Sequence, residues 1–181
     1  MISKKEGSML VQLARDAIDE AFQHKTVFVP HKVRKSRAFL QKPGLFVTLL
    51  KDGQLRGSMG YPQGTYPLVD AVIRAARDAA FNDSRFKKVR QSEMPGLRIR
   101  IDVLSQFKET AVKGINPKKN GIFVQYGPFK GLQLPEDARK FKWTARQMVE
   151  NSLRKAGLAP EMWKGKNLKI YKFGTKTFED N

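Results

Sequence analysis

Arginine, serine and two glycines crowd into "LRGSMG", residues 55–60. Arg56 carries five N–H donors in a fixed fork, the geometry that grips a carboxylate or a phosphate. Gly57 and Gly60 let backbone approach a neighbour closely, and Ser58 adds a small hydroxyl. In "NDSRF" (82–86), Asp83 is placed to cap or orient and Arg85 offers a second guanidinium. Two arginines converging there would favour a phosphate-bearing ligand. In the plainer alternative, Arg56 pairs with an internal acid such as Asp83 and locks a hairpin to the following helix; both readings stand at this point. Glu93 and Glu136 are acids available for proton transfer, although a solvated surface carboxylate is the commoner place for either. A nucleophilic Ser58 would need a base within hydrogen-bond reach, and the chain's two histidines, His24 and His31, lie in no triad-like context. Its hydroxyl is read as a small hydrogen-bonding group. The chain has no cysteine, which excludes disulfides, thiolate catalysis and thiolate metal sites. Two histidines are too few for a histidine-rich metal centre, and the sequence names no cofactor.

Charge is the broadest chemical signal. Thirty-five Lys and Arg against 17 Asp and Glu leave a formal charge of +18 on 181 residues. Cations gather in "HKVRKSR" (31–37), "RFKKVR" (85–90), "NPKKN" (116–120) and "RKFK" (139–142). Gathered on one face they would make the footprint of a partner for RNA or another polyanion; dispersed, they would only make a basic protein. Tyr61, Tyr126 and Phe129, in loops or hairpin turns, are the aromatics that a base could stack on. Phe86 and Tyr66 are assigned to the core, and Trp143 and Trp163 to anchoring the third long helix. Neither an RNP-like aromatic strand nor a GXXG clamp nor a helix-turn-helix pattern is found, so base-specific reading has no support.

These groups must be held by regular elements. Leu10, Leu13, Ala14, Ala17, Ile18, Ala21 and Phe22 recur at helical spacing, predicting an amphipathic helix from Ser8, its cap, to about Lys25. "LFVTLL" (45–50), an Asp-Gly turn and "QLRGSM" (54–59) predict a tight hairpin that sets Arg56 on a strand. A helix follows in "PLVDAVIRAARDAAFND" (67–83), then an alternating strand, "LRIRIDVL" (97–104). "GIFVQY" and "KGLQL", joined by "GPF", form a second hairpin. A capping box at "TARQ" starts a helix from Thr144 to Gly157, and "LKIYKF" (168–173) is the last strand. Helices interspersed with hairpins predict α+β, a mainly antiparallel sheet packed with helices. A length of 181 residues suits one domain or two tightly joined lobes, and 40% hydrophobic content is enough for a sizeable core. No window approaches the roughly 20 apolar residues of a membrane span, and the N-terminus lacks a signal-peptide stretch. A cytoplasmic protein with no membrane partner is expected.

Seven motifs in order, "GLFVTL" (44–49), "LRGSMG" (55–60), "YPLV" (66–69), "AAFNDSRF" (79–86), "IRIDVLS" (99–105), "GLQLPE" (131–136) and "KAGLAPEMW" (155–163), give the chain its resemblance to the AMMECR family over nearly its whole length. The resemblance implies a single AMMECR-like domain over 1–181, of two unequal α+β lobes with a discontinuous boundary and a groove between them to which the hexapeptide contributes. It implies no firmly assigned reaction. Ligand-binding candidates on this reading are Arg56, Gly57, Ser58, Gly60, Asp83, Arg85 and Glu136. Two departures bear on chemistry: Ser58 and Ser152 stand where the family often has cysteine, and Glu136 stands where glutamine is usual. Three functions remain open: an accessory or binding protein engaging RNA or a phosphate-bearing ligand, an enzyme acting on a small anionic substrate in the groove, and a subunit working with a Memo-like or radical-SAM partner.

Overall fold

The computed structural model describes residues 2–180, residue 32 by its backbone alone. In chain order the elements are α1 (Lys4–Phe22), the single-turn helices α2 (His31–Arg34) and α3 (Arg37–Leu40), β1 (Leu45–Lys51), β2 (Gln54–Tyr61), α4 (Leu68–Phe81), β3 (Leu97–Leu104), β4 (Lys108–Glu109), β5 (Gly121–Tyr126), β6 (Phe129–Gln133), α5 (Pro135–Lys140), α6 (Ala145–Lys155), β7 (Lys169–Phe173) and β8 (Thr175–Glu179). They fall into two compact units, the first formed by Met1–Val103 with Lys176–Asn181, the second by Leu104–Thr175.

The first unit is built on a four-stranded sheet ordered β2-β1-β3-β8, with β1 antiparallel to both β2 and β3. Alternation sends Leu45, Val47 and Leu49 of β1, with Ile99 and Ile101 of β3, into the core. There they join the buried stripes of α1 (Leu10, Ala14, Ile18) and α4 (Leu68, Val72, Ala76) in one hydrophobic cluster. The α1 helix begins earlier than its apolar spacing predicts. Ser3, not Ser8, is the cap: its Oγ accepts the Glu6 N–H at 3.2 Å while Glu6 Oε2 accepts the Ser3 N–H at 2.7 Å. This box satisfies two otherwise orphaned donors, whereas the Ser8 hydroxyl donates back to the Lys4 carbonyl inside the helix. Asp52 and Gly53 take φ of 50° and 74°, the two left-handed residues a tight hairpin turn requires.

The second unit carries the sheet β4-β7-β5-β6, whose ladders are antiparallel. Its core holds Ile122 and Val124 from β5, Ile170 from β7 and Met148, Val149 and Leu153 from α6. The predicted capping box is present: Thr144 Oγ1 accepts from Gln147 N–H at 3.2 Å and Gln147 Oε1 accepts from Thr144 N–H at 2.8 Å. Gly157, at φ 76°, ends that helix. The β5–β6 turn is two residues, Gly127 and Pro128, because Phe129 already pairs with Tyr126. The class is therefore α+β with antiparallel ladders. Among the described residues, no helix is long and apolar enough to cross a membrane, and no group of three or more His, Asp or Glu side chains is placed to hold a metal ion.

Candidate functional site

In the hexapeptide, Leu49 pairs with Gly57 and Leu50 with Leu55, so Arg56 is the extra residue of a β-bulge. A bulge breaks the two-residue alternation and re-aims one side chain. Here it sends the Arg56 fork to Glu93, in the 3₁₀ turn Gln91–Gly96: Nε donates to Oε1 and Nη2 to Oε2, both at 3.0 Å. Two further N–H groups are also used, Nη1 donating to the Lys87 carbonyl at 2.8 Å and Nη2 to that of Lys88 at 3.3 Å. The two side chains are only 17% and 15% exposed. Of the two readings of Arg56, the internal pair is what forms, with Glu93 rather than Asp83 as its acid. Lys51 reaches the same carboxylate at 3.1 Å. The Arg56 guanidinium, the Arg90 backbone N–H and Lys51 hold the Glu93 carboxyl down at about 2.

Asp83 and Arg85 do something different. β2 is an edge strand, with backbone donors and acceptors that need partners. Asp83 Oδ2 accepts the Ser58 N–H at 2.9 Å, and Arg85 Nη2 donates to the Ser58 carbonyl at 3.2 Å. Arg85 Nε and Nη2 also fork onto Asp83 at 2.9 and 2.7 Å. The pair thus imitates one residue of a missing neighbouring strand. The Arg85 fork, with the backbone N–H groups of Ser58 and Arg85, lowers the Asp83 carboxyl to about 2. The Ser58 hydroxyl lies 3.0 Å from that of Thr48 across the ladder. Gly57 is demanded by α4, since a Cβ there would stand 2.1 Å from the Ala79 carbonyl oxygen; at Gly60 one would stand 2.2 Å from that of Leu45. Arg56, Gly57, Ser58, Gly60, Asp83 and Arg85 are therefore brought together in the first unit as an edge-strand lock. Its most exposed guanidinium is Arg85, at 56%. Glu136 belongs to the second unit, in the first turn of α5, and Ser152 is fully buried there, its Oγ without a hydrogen-bond partner.

Of the stacking candidates, Tyr61 is already engaged. Its ring meets Tyr66 edge-on at 5.1 Å and its hydroxyl donates to Asp78 at 3.2 Å. Burial and the Asp78 charge push that phenol up. Tyr126 and Phe129 flank the β5–β6 turn, where Phe129 is 48% exposed.

The second unit concentrates charge: its 72 residues hold fifteen Lys and Arg against five Asp and Glu, while the first unit holds twenty against twelve. Five carboxylates cannot neutralise fifteen cations, so most of that charge faces solvent. Two basic runs, distant in sequence, are joined here. Arg139 Nη1 donates to the Lys118 carbonyl at 3.1 Å, and the turn holding Lys118 and Lys119 is tied by Asn116 and Asn120. Arg139, Lys140, Phe141 and Lys142 are all exposed. Phe141 was not among the sequence's aromatic candidates, although its place inside "RKFK" was the available signal.

The AMMECR1 family model matches residues 11–178. A protein of Methanothermobacter thermautotrophicus is 34% identical over 188 residues, covering 99% of this chain and 97% of that one. Protein TK0174 of Thermococcus kodakarensis is 33% identical, covering 99% and 92%. The crystal structure of uncharacterized protein PH0010 from Pyrococcus horikoshii superposes with a TM-score of 0.94 at 32% identity, covering 99% of this chain and 94% of its own.

Proposed function

The chain belongs to the AMMECR1 family, and from that premise and its own charge distribution we propose that it is a binding protein for a polyanion, engaged through the second unit's basic surface. One observation carries the reading: the Arg139–Lys118 bond draws the "NPKKN" and "RKFK" runs into one exposed patch on a unit with three times as many cations as acids. Such a patch gains affinity by releasing counterions from a chain of phosphates. The edge-strand lock supports the same choice of unit. Each nitrogen of Arg56 is occupied by its own chain, so an arriving anion would have to displace Glu93.

Fluorescence anisotropy with a labelled RNA at low salt and at about 0.15 M tests this. We expect the logarithm of the binding constant to fall linearly with that of salt, and the slope to become shallower by about one for each phosphate-contacting cation removed from the Lys118, Lys140 and Lys142 set. Binding that is absent near physiological salt, or indifferent to those substitutions, would overturn the assignment.

A further inference from the structure

Phe141 stands 56% exposed in the middle of the basic patch, an apolar ring where every sequence neighbour but Trp143 is charged or polar. Its conformation is built rather than incidental. Lys142 takes φ of 54°, a left-handed backbone that a lysine rarely adopts. The reversal brings Phe141 and Trp143, two residues apart, into a stack with centroids 5.3 Å apart and planes 23° apart. Trp143 is fixed beneath: its indole packs on the second unit's core, and its backbone N–H donates to the Ala138 carbonyl at 2.9 Å. The packed indole thus backs an exposed phenyl ring whose chain neighbours Arg139, Lys140 and Lys142 are exposed as well.

We propose that the Phe141–Trp143 stack is a platform for an unpaired base of single-stranded nucleic acid, with the flanking cations carrying the adjacent phosphates. This rests on the polyanion reading above and narrows it, because heparin and polyphosphate have no π-face and a duplex keeps its bases stacked inside. The Lys140 ammonium lies 5.5 Å from the Phe141 centroid. An exposed contact of that kind is weaker than a stacked base, so an arriving base displaces Lys140 towards the phosphate next to it. Because stacking tolerates any base, the site reads strandedness rather than sequence.

The test compares a single-stranded RNA, a DNA strand, a duplex of the same length and heparin, each titrated by anisotropy into the full chain and into Phe141→Ala. The expected result is a loss of about fivefold to a hundredfold for both single strands in Phe141→Ala, with duplex and heparin unchanged and partial rescue by Phe141→Tyr. In a Trp163→Phe background, where Trp143 is the remaining indole, single strands should quench its emission and heparin should not. If all four polyanions bind alike and Phe141→Ala changes none of them, the platform is refuted while the polyanion reading survives. If none of the four binds, both fall. Phe141 is exposed, so its removal leaves the core intact; circular dichroism of the variant checks this.

Discussion

Glu93 receives both arms of the Arg56 fork, the Lys51 ammonium and the Arg90 backbone N–H, and its replacement is the sharpest test of the edge-strand lock. Glu93→Gln keeps the shape but turns an amide N–H₂ towards a guanidinium, at a cost of about 1–3 kcal/mol in urea unfolding. The pH dependence has a definite sign. Glu93 falls from 4.5 to about 2 on folding and Asp83 from 3.8 to about 2, so the folded state binds these protons less readily than the unfolded one. Their stabilisation is complete above about pH 4.5 and is lost as pH falls towards 2. The urea midpoint of the wild type should drop across that window, and Glu93→Gln should flatten the upper part of the drop. An unchanged profile in the variant would mean that Glu93 titrates normally. The residue types are all readable in the sequence, Glu93 among them as an acid available for proton transfer. Its partner was not readable, since 37 residues separate it from Arg56 and nothing local joins a strand to a later 3₁₀ turn.

Among the elements, the hairpin that carries Arg56 shows what is local and what is not. Asp-Gly between two apolar runs specifies its turn because two consecutive left-handed residues are cheap there. The bulge at Arg56 and the close approach of α4 to Gly57 depend on packing. Two glycines in one hairpin therefore answer to different causes. Gly57→Ala should cost about 1–3 kcal/mol or more, since its methyl meets the backbone at Ala79 and no rotamer relieves that. Gly53→Ala meets nothing within 4 Å and suffers only from φ of 74°, a cost of about 1–2 kcal/mol. Thermal melts of the two variants should rank them in that order, and the reverse ranking would mean that α4 yields readily. The start of α1 teaches a related lesson: the apolar spacing locates the helix body, but the Ser3–Glu6 box fixes its first turn, and polar capping lies outside any hydrophobic period.

For the whole molecule, +18 on 181 residues means that folding compresses like charges, a self-repulsion that salt relieves. The Debye length is about 30 Å at 0.01 M and about 10 Å at 0.1 M, so Tm should rise across that range; a fall would show that screened ion pairs outweigh the repulsion. Much of this description was legible beforehand. Composition set the charge, periodicity located α4, α6 and the main strands, and ordered motifs pointed to the family that the comparisons then showed. Those features are written in neighbouring residues, because turns, caps and amphipathic faces are short-range properties of the chain. Tertiary packing alone decided that Arg56 is consumed by Glu93, that Asp83 and Arg85 close a sheet edge, and that Arg139 meets the Lys118 carbonyl. Each of these joins segments that covalent geometry leaves independent, and which partner a side chain meets is settled by the collapse of the core that carries it.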